Sequence, residues 1–188
     1  MDVLLETEGT WKKGNAFAVP DLRAKVEADG HSNPEFRVTL TGGTLLNNGS
    51  SQRWGDCEGP VKLGGSAYIR CYVALQGLEV SYRKGDFFSQ ITMGRVNVRA
   101  MANLLDSKAE VEFRHFNGNQ TEEVRVSVDE VDVHLTELGP RVPHHPQWPK
   151  LEKAVRLKMN ETMSDLIPEI LADHLVVAMG RVNFPLPK

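Results

Sequence analysis

The sequence predicts an α+β protein in which a long, highly curved antiparallel β-sheet with bulges wraps around one long, proline-bent C-terminal helix as a half-barrel roll. Three observations predict it. From Glu35 to Leu138 apolar residues recur with period two, the spacing that puts alternate side chains on one face of a strand. Twice in that span the alternation skips a residue and then resumes, as it does where a β-bulge bends a strand while keeping its apolar side on one face. From Trp148 the apolar period becomes helical and stays so to Met179.

Taken in order, residues 1–35 read as irregular, punctuated by Gly14, Pro20, Gly30 and Pro34, with DLRAKVEAD as a short helix. Phe36, Val38 and Leu40 alternate with polar neighbours and open the sheet region, 36–138. The stretch CEGPVKLGGSAYIRC holds both cysteines, and Gly64-Gly65 between them can take the positive φ of a tight hairpin. Cys57 and Cys71 then face each other across an antiparallel ladder, within reach of a disulfide. The alternative is two small buried thiols.

Ala67, Ile69, Cys71, Val73 and Leu75 occupy odd positions, and Leu78, Val80 and Tyr82 even ones, so the first skip falls at Gln76-Gly77. Ile91 and Met93, then Val96 and Val98 beyond Gly94, mark another strand, and Val111 with Phe113 a shorter one ending at Asn117-Gly118-Asn119. The second skip, at Asp129-Glu130, divides Val124, Val126 and Val128 from Val131, Val133 and Leu135. Each skip reads as a bulge in one long strand or as a break between two short ones. Residues 139–148 (GPRVPHHPQW) form a proline-rich connector. Residues 149–179 are the helix, with Pro149 suited to its first turn, Pro168 bending or dividing it, Gly180 ending it, and 180–188 an extended tail.

The 188 residues suit a single domain. A sphere of that length is about 40 Å across. An unbroken strand over 66–83 measures roughly 55 Å and a helix over 149–179 roughly 45 Å, so the elements require a rod with the sheet rolled around the helix.

A net charge of −3 with no run of cations excludes nucleic acid as a partner. No apolar segment is long enough to span a membrane, and MDVLLETEGT lacks a signal's basic start and apolar core. Asn48, Asn119 and Asn160 each begin a glycosylation sequon. With the disulfide, these predict a secreted glycoprotein whose signal has been removed, Met1 being an artefact of expression.

Adjacent His144 and His145 lack a neighbouring carboxylate or cysteine at ligand spacing, so no metal and no cofactor is expected. Neither Gly-x-Ser-x-Gly nor a phosphate loop occurs, pairing removes Cys57 and Cys71 as nucleophiles, and His115 and His134 are expected to face solvent, His115 away from Val111 and Phe113. An enzyme is therefore not expected.

The leading expectation is a carrier of a hydrophobic small molecule or lipid. Leu151, Val155, Met159, Met163, Leu166 and Ile170 would line one wall, and Ile69, Val73, Leu75, Val96, Val98, Val111, Phe113, Val126 and Val128 the other. An ordinary packed core would use the same residues, and is the commoner outcome for such a composition. The competing expectation is an interaction protein with a filled interior, meeting a protein or microbial surface, with Trp11, Trp54 and Trp148 as candidate anchors.

The order of elements, with EEVRVSVDEVDVHLTELG as a long bulged strand and LEKAVRLKMNETMSDLIPEILADHL as the closing helix, resembles the tubular lipid-binding (TULIP) superfamily over about Phe36 to Val177. It is most similar to single-domain arthropod members, the group-seven mite allergens, with the takeout and juvenile-hormone-binding proteins more distant. The resemblance implies a sheet curved around a helix, an apolar groove for a lipid, secretion and no catalytic residues. Members usually carry another long helix before the first strand, which residues 1–30 do not offer.

Overall fold

The structure is a computed structural model that describes residues 14–30, 33–49, 52–89, 96–116, 122–128, 131–139 and 147–179. Its strands are β1 (Ala16–Val19), β2 (Leu22–Val26), β3 (Phe36–Asn47), β4 (Glu58–Leu63), β5 (Ser66–Ala74), β6 (Leu78–Ser89), β7 (Val96–Asn97), β8 (Arg99–Leu105), β9 (Lys108–Phe116), β10 (Glu122–Ser127) and β11 (Asp132–Gly139), followed by helix α1 (Trp148–Met179). The larger antiparallel sheet has the order β1-β3-β6-β8-β11, with β2 also on β3 and β7 on β6; the smaller has the order β10-β9-β5-β4. The long C-terminal helix lies against the sheets, giving the α+β roll that the sequence predicts.

The first skip in the apolar alternation is a bend; the second, at Asp129-Glu130, lies outside the described residues. The expected 66–83 strand is two strands in different sheets: β5 ends in the small sheet, a turn closed by Leu78 N to Leu75 O at 3.3 Å follows, and β6 begins in the large sheet. Gly77, at φ 89°, allows that turn. β8 and β9 are related in the same way through Asp106-Ser107, and β10 and β11 also lie in different sheets. The neighbours match on both sides, β5-β9-β10 in one sheet and β6-β8-β11 in the other, so three ribbons, β5–β6, β9–β8 and β10–β11, keep their order on either side of one corner.

Ser107 ties the ribbons at this corner. Its carbonyl accepts from Leu75 N at 2.9 Å, its hydroxyl donates to Leu105 O at 2.7 Å, and the same oxygen accepts from Asp132 N at 2.9 Å. One buried serine thus satisfies groups on all three ribbons, which a sharp bend would otherwise leave unpaired.

A second bend runs through the large sheet. In β3 the buried positions change from Phe36, Val38 and Leu40 to Gly43 and Leu45; in β6 they change from Val80 and Tyr82 to Gly85 and Phe87. Leu40 pairs with Gly85 and Gly43 with Tyr82, so each strand gives one glycine and one large side chain, crosswise. A Cβ on Gly43 would lie 2.5 Å from the Tyr82 ring, and one on Gly85 2.7 Å from Thr39 O. The bend therefore depends on bare backbone under each large neighbour. Tyr82 Oη donates to Pro20 O at 2.8 Å, and Asp21 Oδ1 accepts from Gly42 N at 3.2 Å, which carries the bend into the β1–β2 corner. β11 follows with a register shift between Leu135 and Glu137.

Residues 16–19 and 22–26 correct the expectation of irregular or short-helical structure over 1–35. DLRAKVEAD contains good helix formers, but Leu22 and Ala24 are buried while Arg23 and Lys25 are exposed, and pairing with β3 outweighs local propensity. The hairpin forms with Gly64 and Gly65 both at positive φ. A two-residue turn pairs Leu63 with Ser66 and, left regular, would set Cys57 opposite Tyr72; a one-residue shift between Glu58 and Val61 restores Cys71 as its partner. The Cys57–Cys71 disulfide closes there, Cα to Cα 4.4 Å.

The helix starts at Trp148, one residue before the expected Pro149, and runs unbroken through Pro168, whose missing N–H leaves the Ser164 carbonyl without its usual donor. Its buried residues Leu151, Val155, Met159, Met163, Ile167, Leu171 and Leu175 step by four. At about 100° per residue each step turns about 40°, so the stripe winds about 240° around the axis. No flat surface can cover such a stripe, whereas a sheet bent twice can.

The outside of the small sheet is charged in order. Glu58, Arg70, Glu112 and Arg125 are successive register partners across β4, β5, β9 and β10. Arg70 lies 3.2 Å from both Glu110 and Glu112. Burial pushes the Glu112 carboxyl up, and hydrogen bonds from Arg114 and Arg70 outweigh it, so the group is held below its ordinary 4.5.

Candidate functional site

The seam between α1 and the inner sheet faces collects most of the expected wall. Leu151, Val155, Met159 and Met163 are fully buried on the helix, and Val73, Leu75, Val98, Val111 and Phe113 on the strands. Leu166 and Ile170 flank the seam half-buried, because the four-residue step continues through Ile167 and Leu171 instead. Ile69, Val126 and Val128 are also half-buried, and the side chain of Val96 lies outside the described residues. Val80, Tyr82, Ala100, Ala102, Leu104 and Ala109 complete the wall. The alanines gave too little apolar contrast for the sequence to reveal that Ala100, Ala102 and Leu104 also change phase to Ala109 and Val111.

The seam is filled by its own side chains. Met159 and Met163 are 0% exposed. Polar ties of the helix include Asn160 Oδ1, which accepts from Val133 N of β11 at 3.1 Å, and Lys150 Nζ, 3.3 Å from Asp29 Oδ2 in the segment after β2. Of the three sequon asparagines, Asn160 is half-buried with this bond, Asn48 is exposed, and Asn119 lies outside the described residues.

Where the seam reaches the surface beside β11 there is a cleft of about 660 Å³ lined by His134, Leu135, Thr136, Glu137, Leu138, Pro149, Glu152, Lys153 and Arg156. The register shift in β11 shapes one side of it, and the first two turns of α1 the other. Its carboxylates are engaged, Glu137 with Arg99 and Glu152 Oε1 with the Trp148 indole N–H at 2.8 Å. Lys153 and Arg156, three residues apart on one helix face, have no carboxylate partner among the described residues. Sequence reading passed over both, since cations on a helix ordinarily mark its solvated side.

Two smaller clefts, with Arg83 and Asn97 common to both, lie over the second bend. Trp54 is 53% exposed, Trp148 is buried against Phe87 with ring centroids 5.9 Å apart, and Trp11 lies outside the described residues, as do His144 and His145. His134 is exposed as expected. His115 is not: it continues the Val111 and Phe113 side, as a period of two requires, and is half-buried with its Nδ1 enclosed. No helix among the described residues is long and apolar enough to cross a membrane.

No family model and no curated protein matches the chain. The chain is similar to lipopolysaccharide binding protein. A crystal structure of that protein aligns at 12% identity with a TM-score of 0.36, covering 84% of this chain and 35% of that one. This chain thus spans about a third of the length of the structure it matches. The comparisons do not single out the arthropod members that its element order resembles.

Proposed function

We propose that the protein is a secreted, non-enzymatic binder of an elongated hydrophobic or lipid-like ligand, held between α1 and the inner faces of the two sheets. The observation that carries this reading is the seam itself: a winding apolar stripe of seven residues at four-residue steps, with two methionines at its middle and alanines across from it. Methionine repacks with little loss, and contacts between helix and sheet that are mostly apolar can be exchanged for contacts with an alkyl chain. The disulfide supports an oxidising, extracellular setting. The resemblance to TULIP proteins, most similar to their arthropod members, points the same way. The test is organic extraction and native mass spectrometry of purified protein, together with displacement of a fluorescent fatty-acid probe. Bound lipid or probe uptake at micromolar concentration is expected; absence of both contradicts the reading.

The filled interior favours a second reading, an interaction protein that meets a protein or microbial surface through its outside, with exposed Trp54 as an anchor. In that case the probe stays in solution, and Trp54→Ala weakens capture of the partner without altering thermal stability.

A further inference from the structure

We propose that the cleft beside β11 is the headgroup site of that binder, and that the ligand is a single-chain amphiphile with an anionic head. The inference rests on the proposed function and adds the chemistry of the ligand's polar end. Leu135, Leu138 and Pro149 give the cleft an apolar part continuous with the seam, because Leu138 belongs to the buried core. Lys153 and Arg156 supply positive charge on its helical side.

The donors set the sign of the head. Glu137 is paired with Arg99 and Glu152 accepts from the Trp148 indole, while Lys153 and Arg156 are lining cations without a carboxylate partner among the described residues. A carboxylate or phosphate accepts from both a guanidinium and an ammonium, and such charge-assisted bonds are about twice as strong as neutral ones. A neutral alcohol or ester head offers no charge to match. The alkyl chain then runs from Leu138 into the stripe at Leu151 and Val155, separating α1 from β11 where Asn160 ties them.

The experiment compares oleate, oleyl phosphate and oleyl alcohol for displacement of a neutral fluorescent probe, with inorganic phosphate as a competitor. Wild type is expected to bind both anionic amphiphiles about tenfold more tightly than the alcohol. K153Q/R156Q should narrow that preference to about twofold, while Arg23→Gln, an exposed cation outside the cleft, keeps it. Equal affinity for acid and alcohol in wild type, or an undiminished preference in K153Q/R156Q, overturns the headgroup assignment and leaves the binder standing. Competition by inorganic phosphate as effective as by oleyl phosphate also overturns it, since the cleft would then hold a free anion. If no amphiphile binds, the proposed function fails and the headgroup site with it.

Discussion

The two bends of the roll are held by different physics. At the corner between the sheets the chain uses hydrogen bonds, gathered on Ser107. At the bend inside the large sheet it uses volume, with Gly43 under Tyr82 and Gly85 under Leu40. The first bend joins two ladders that end, so polar groups must be satisfied there. The second lies within a ladder that continues, so the backbone is already paired and only space is scarce. The comparison predicts that the first bend is sensitive to loss of an acceptor and the second to gain of a methyl group.

The largest effect should come from the second bend. Gly85→Ala puts a Cβ 2.7 Å from the Thr39 carbonyl oxygen, a backbone atom that no rotamer change can move, and is expected to cost about 3 kcal/mol in urea unfolding. Gly43→Ala should cost less, since its obstacles, the Tyr82 ring and Val19 Cβ, are side-chain atoms rather than backbone. If both are neutral, packing does not hold this bend.

Ser107→Ala should come next, at about 2 kcal/mol, because the Asp132 amide loses its acceptor and the Leu105 carbonyl its donor at a buried serine. Hydrogen exchange sharpens the point: protection should fall at Asp132 and stay unchanged at Gly43. Tyr82→Phe should cost about 1 kcal/mol by removing the bond to Pro20 O. Burial, with Asp21 beside it, pushes the Tyr82 hydroxyl up to about 12, so this bond persists to strongly alkaline pH.

The smallest effect concerns neither bend. The Glu112 carboxyl is depressed in the folded state, so it contributes stability above its ordinary 4.5, and that contribution is lost as pH falls through the lower folded value. Glu112→Gln should flatten the acid limb of the stability profile; an unchanged limb would show that the charge ladder contributes nothing there.

Much of the fold was legible because period and turn chemistry act locally. The Cys57–Cys71 hairpin, the phase changes and the amphipathic helix could all be read from residue spacing. What spacing could not show is whether a phase change is a bulge or a passage between sheets, since both return apolar residues to the same side. DLRAKVEAD became a strand because β3 offered an unpaired edge, a tertiary fact absent from the segment. The seam was legible from Leu151 to Met163 and blurred beyond it, where Ile167 and Leu171 compete with Leu166 and Ile170 in an apolar run. Lys153 and Arg156 remained hidden because their meaning comes from β11, distant in sequence.

The central claim is that an alkyl chain enters the seam between α1 and the sheets. Its most direct test is a methyl spectrum of protein labelled at methionine, recorded while oleate is added. The Met159 and Met163 methyls should shift together in step with binding followed by calorimetry. Saturating, calorimetrically verified oleate that leaves both resonances where they were would contradict the claim.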